Sequence, residues 1–98
     1  MNREQRNRLS EQKERIEKAN KLIEEASQIL FDVKDEIDAV RGEEEDKLDN
    51  ATEGLLATQR YQDIQSNVDT LDELSSSLDN IIDALDIEDL SEHEAFDL

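Results

Sequence analysis

The side chains in this chain that could do chemistry are almost all carboxylates. Asp83, Asp86 and Asp89 recur every three residues, Glu43 to Asp46 form an unbroken run, and the single histidine, His93, stands between Glu92 and Glu94. Carboxylates at such spacings raise the question of a metal first. An EF-hand loop alternates its ligands around a central glycine and closes on a glutamate; neither stretch has that order. Di-iron bundles point Glu and Glu-x-x-His ligands into the core, and a helical nucleotide hydrolase needs inward acids for magnesium. The apolar seam described below offers neither. A general base at His93 would need positioned companions, and an exposed histidine among acids is the simpler reading. No Ser/His/Asp arrangement can be assembled around it. The chain has no cysteine, which removes thiolate, disulfide and thiolate-zinc chemistry. The expectation is a chain without catalytic residue, metal ligand or cofactor: not an enzyme.

What remains is charge. The net charge is −17, and it is unevenly placed. Residues 1–41 hold nine Lys/Arg and ten Asp/Glu, whereas residues 42–98 hold two basic side chains, Lys47 and Arg60, and eighteen acids. From 61 to 98 there is no Lys or Arg. Solvating faces normally mix signs, as residues 1–41 do. An acidic surface repels nucleic acid and anionic lipid and attracts basic partners. The expected partner is a basic protein, with no direct nucleic-acid or membrane contact. The candidate partner-binding face is Asp63, Asp69, Asp72, Glu73, Asp79, Asp83 and Asp86. Duplex DNA carries one charge per about 1.7 Å of axis, and a helix dense in carboxylates can imitate part of that array. The plain alternative is an ordinary solvated face. Met1 to Arg6 lacks the apolar core of a secretory signal, and no apolar run approaches a membrane span. Both point to the cytoplasm, a host cell's if the chain is phage-encoded.

These side chains must be positioned by helices. Ile16, Ala19, Ile23, Ala26, Leu30, Val33, Ile37 and Val40 are separated by alternating gaps of three and four, a heptad repeat. Leu9 lies in phase with it. After Val40 the phase slips to Leu48 across Gly42, which suggests a four-residue stutter in a helix over about 3–49. Asn50 and Gly54 mark a turn over 50–57, and Thr58 is a plausible N-cap. A second helix, about 58–87, carries Tyr61, Ile64, Val68, Leu71, Ser75, Leu78, Ile82 and Leu85. Ser75 breaks that seam. It either sets register or, the simpler expectation, bonds back to its own helix. Phe31 falls off the seam, as a flank residue or an interface anchor. The acidic tail, 88–98, has capping-box spacing at Ser91 and Glu94, but its composition favours fraying.

The reading is all-α: an antiparallel, coiled-coil-like two-helix hairpin over residues 1–87. The packing seam is Ile16, Ile23, Leu30, Val33, Ile37 and Val40 against Ile64, Val68, Leu71, Leu78, Ile82 and Leu85. The basic excess of residues 1–21 beside the acids of 79–98 favours that orientation. Leu22, Ile29, Leu74 and Ile81 would stay in water, so two hairpins are expected to form a homodimeric four-helix bundle.

Met1-Asn2-Arg3-Glu4-Gln5-Arg6 and Asp49-Asn50-Ala51-Thr52-Glu53-Gly54-Leu55 give the chain a familiar outline. It resembles small acidic helical-hairpin proteins of bacteria and their phages and mobile elements, mostly uncharacterised. Those chains often carry a proline in the turn, where this one has Thr52. The resemblance implies a hairpin and a mobile-element origin, and transfers no catalytic residue. The expected function is a phage-type inhibitor that covers a basic surface on a nucleic-acid-handling or defence protein of the host, with DNA mimicry as one mode of doing so. The alternative is a structural assembly module acting through its apolar seam.

Overall fold

The computed structural model describes residues 1–50, 54 and 58–98. Two long helices, α1 (Arg3–Asp49) and α2 (Gln59–Ala84), pack against each other, and a short 3₁₀ turn, Glu94–Asp97, lies against α1. No strand occurs among the described residues.

Local sequence explains the ends. Asn2 caps α1 through a capping box: its Oδ1 accepts from the Gln5 N–H at 2.8 Å, and Gln5 Oε1 accepts from the Asn2 N–H at 3.1 Å. At the other end Asn50 Nδ2 donates to the Asp46 carbonyl at 2.9 Å, and Lys47 sits in the last turn, where a cation suits the helix dipole. Thr58 caps α2, accepting from the Tyr61 N–H at 3.4 Å. The turn proposed over 50–57 lies outside the described residues apart from Asn50 and Gly54.

Helix α2 stops at Ala84, three residues before the sequence suggested. Its last turn has no basic residue, and Asp83, Asp86, Glu88 and Asp89 crowd the negative end of the dipole. Anions there oppose propagation. The chain leaves the helix through short backbone bonds, Asp86 N–H to Asp83 O and Ile87 N–H to Leu85 O.

The register is antiparallel and is marked by three polar links: Ser75 to Asp38, Lys34 to Asp79 and Arg41 to Asp72. The core between the helices is thin. Ile64, Val68, Ser75 and Leu78 of α2 are buried, whereas α1 has no fully buried residue. The half-buried line on α1 runs Ile16, Asn20, Ile23, Ser27, Leu30, Lys34, Ile37, Arg41, Glu44 and Leu48. That line keeps its alternation of four and three past Gly42, so the stutter expected there is absent and α1 is one continuous helix. Val33 and Val40, assigned to the seam from sequence, stand 41% and 44% exposed. The apolar stripe of α1 is wider than α2 can cover, and the contact line runs along its edge. Asn20, Ser27, Lys34 and Arg41 make that line partly polar, and only Lys34 and Arg41 have long aliphatic stems to lay along it.

The tail is not frayed. Asn20 Nδ2 donates to Asp89 Oδ1 at 2.7 Å, and Arg6 Nε donates to the Leu98 carbonyl at 3.2 Å. Ser91 is buried and Phe96 half-buried. The tail thus continues along the part of α1 that α2 does not reach. The molecule is a rod of 80 × 15 × 14 Å.

Candidate functional site

Heptad geometry sorts the surface of the hairpin into two flanks. Relative to the seam, Asp38 of α1 and Asp72 and Asp79 of α2 lie to one side; Val33 and Val40 of α1 and Leu74 and Ile81 of α2 lie to the other. The ion pairs identify the first side on both helices at once.

On the acidic flank, Lys34 and Arg41 reach out of the seam one heptad apart. Lys34 Nζ lies 2.8 Å from Asp38 Oδ2 and 3.7 Å from Asp79 Oδ1. Arg41 pairs through Nε with Asp72 and holds Glu45 Oε2 through a terminal nitrogen at 2.8 Å. Asp38 receives, besides Lys34, the Ser75 hydroxyl at 2.6 Å. Ser75 therefore does not bond back to its own helix. It is buried at the contact line, with Asp38 in reach of its hydroxyl, and it ties the helices in register. The Lys34 ammonium first, and then the Ser75 hydroxyl, hold the Asp38 carboxyl below its ordinary value. The Asp38 and Asp72 hydrogen bonds raise Lys34 and Arg41 in turn. Further along, Lys47 lowers the Glu44 carboxyl, and Asn67 Nδ2 donates to it across the helices at 3.4 Å.

The seven acids singled out from sequence therefore divide. Asp72 is half-buried and committed to Arg41, and Asp79 is tied to Lys34, so neither is a free carboxylate. Asp63 accepts from Gln59 Nε2 at 3.0 Å and falls on the other flank. Asp69, Glu73, Asp83 and Asp86 are exposed and, among the described residues, in no ion pair. Helical spacing places Asp69 and Asp83 on the acidic flank and Glu73 on the outer back of α2, and Asp86 follows just beyond the end of the helix. Lys34 and Arg41 were missed as functional positions. Their signal was present: both sit in alternating register with Leu30, Ile37 and Leu48, but a reading that follows apolar residues alone passes over them.

The opposite flank is apolar and open. Leu22 is 56% exposed and Ile29 62%; Leu74 and Ile81 are also exposed. The register set by Ser75 and Asp38 puts Val40 level with Leu74 and Val33 level with Ile81.

His93 is exposed and has a structural task. Its Nδ1 accepts from the Ala95 N–H at 3.0 Å and caps the 3₁₀ turn, in place of the Ser91–Glu94 box. Ser91 instead donates its N–H to Asp89 Oδ1 at 2.8 Å, and Ser91 is the leading cause of the lowered Asp89 carboxyl. Among the described residues, no group of three or more His, Cys, Asp or Glu could hold a metal ion, and no helix is long and apolar enough to cross a membrane. Comparison of the chain with known protein families, curated proteins and solved structures finds no significant match.

Proposed function

We propose that this chain is a non-enzymatic protein-binding inhibitor of the phage type, which works in the cytoplasm by covering a basic surface on a nucleic-acid-handling or defence protein of the host. The observation that carries this reading is the one-sided acidic flank. In its middle Lys34 and Arg41 offset part of the charge of Asp38, Asp79, Asp72 and Glu45, and its outer acids, Asp69, Glu73, Asp83 and Asp86, have no ion-pair partner among the described residues. A basic partner replaces water and counterions there, and resemblance to the charge array of DNA would let the rod occupy a nucleic-acid groove.

The test is affinity capture from a bacterial lysate with the wild-type chain and with Asp69→Lys/Glu73→Lys/Asp83→Lys. These positions are chosen because no internal pair depends on them. Basic proteins held by the wild type at low salt, and lost by the variant or at high salt, support the reading. Identical captures by both chains sink it.

A second reading rests on the apolar flank. Leu22, Ile29, Val33, Val40, Leu74 and Ile81 form a strip that two copies would bury face to face as a four-helix bundle, leaving both acidic flanks outward. In that reading the chain is an assembly module. Ile29→Asp/Leu74→Asp would then halve the solution mass at unchanged helicity, whereas the acidic triple variant would keep the dimer. A wild-type chain that is monomeric at millimolar concentration would close this reading.

A further inference from the structure

Where α2 ends, the acidic flank is not flat. An open groove of about 590 Å³ lies between the middle of α1 and the chain leaving α2, within the range of ligand sites. Ile23, Phe31, Ile82, Leu85 and Ile87 give it an apolar floor, and Phe31 and Ile87 remain 49% and 55% exposed. Its rim is acidic: Glu24, Asp83, Asp86 and Asp89. Among the described residues, no lysine or arginine lines it. Asp89 is engaged by Asn20 and Ser91, while Glu24, Asp83 and Asp86 are in no ion pair among the described residues.

We propose that this groove is the anchoring point for the basic partner, and that it takes an amphipathic basic helix whose leucine- or phenylalanine-sized side chains enter between lysines or arginines. The inference rests on the protein-binding reading above and adds a chemical demand to it. A simple copy of DNA needs only charge. Here apolar side chains and carboxylates line one groove, so the occupant must supply both an apolar anchor and flanking cations. The three free acids come from α1 (Glu24), from α2 (Asp83) and from the chain that leaves α2 (Asp86), so cations on both sides of the anchor can meet a carboxylate.

The test uses the full chain and two synthetic probes of about fourteen residues, a helical leucine/lysine peptide with its leucines on one face, and oligolysine. The leucine/lysine peptide should bind roughly tenfold or more tightly than oligolysine. Phe31→Ala should remove most of that advantage while leaving oligolysine binding unchanged. Asp83→Asn/Asp86→Asn should weaken both probes. Amide and methyl NMR shifts of the wild-type chain give a reading that needs no variant; the leucine/lysine peptide should move Phe31, Leu85 and Ile87 most. Equal affinity for both probes, an unaffected Phe31→Ala variant, or shifts spread evenly along residues 63–86 would overturn the groove. Those outcomes would leave the acidic-flank reading standing. Absence of binding by either probe would overturn both.

Discussion

Asp38 shows how a single side chain ties charge to register. It takes one hydrogen bond from its own helix, from Lys34, and one from the facing helix, from Ser75. Its carboxyl is held below the ordinary 3.8, as is that of Asp89, and Glu44 is held below 4.5. Groups depressed on folding contribute stability above their unfolded values, and that contribution is lost as pH falls through the lowered folded values. Acidification below about pH 4 should therefore erode a part of the helical signal, a small one because these groups are screened by solvent. Asp38→Asn should flatten that acid limb in a circular-dichroism titration. In Ser75→Ala the Asp38 carboxyl should titrate closer to 3.8, read by NMR; an unmoved carboxyl would mean that Ser75 merely fills space. Neither donor role was readable beforehand. A serine at a seam position is compatible with both a local and a cross-helix bond, and only the register decides.

At the scale of the element, α1 was legible almost to the residue, because Asn2, Gln5 and Asn50 are local signals that need no partner. Its facing side was not. Ile16, Ile23, Leu30 and Ile37 belong to two overlapping apolar stripes, one completed by Val33 and Val40, the other by polar Lys34 and Arg41. Hydrophobicity selects the first; the structure uses the second. The difference reflects where α2 sits, a tertiary fact with no local trace. The same shift removes the supposed break at Gly42. A methyl added there meets nothing within 4 Å. Gly42→Ala should therefore stabilise the helix by about 0.8–1 kcal/mol, raising the thermal midpoint by about 4–8 °C. A lowered midpoint would show that the glycine is needed for a bend in solution.

For the whole molecule the radius of gyration is 23.3 Å, against about 13 Å for a compact chain of 100 residues. Stability must come from one long, thin contact line, and α2 supplies only part of it. At 1.5 Å per residue α1 is about 70 Å long and α2 about 39 Å. The rest of the line is covered by the tail. Removing residues 86–98 should leave the paired region of α1 and α2 intact and expose Leu9 and Ile16. Hydrogen exchange should then accelerate over residues 3–22 of α1 and stay slow over 30–41, since an unsupported helix end is marginal in water. Uniform protection along α1 would show that the tail does not support it. The acidic composition of the tail hid this role, because its apolar contacts, Ala95 and Phe96, are few and follow no period.

The tail also acts as a slack tether. Between its ties to Asn20 and Arg6 it runs beside fourteen helical residues, about 21 Å of α1. The stretch from Asp89 to Leu98 could reach roughly 30 Å if fully drawn out. Some 9 Å is therefore held in reserve, much of it taken up by the 3₁₀ turn. Growth of α1 by one turn between Arg6 and Asn20 could be absorbed by pulling that turn straight, whereas the same insertion between Lys34 and Arg41 would put the Lys34–Asp79 and Arg41–Asp72 rungs out of step with each other. Within one rod, the end tied by extended chain tolerates changes of length that the helix-paired middle cannot.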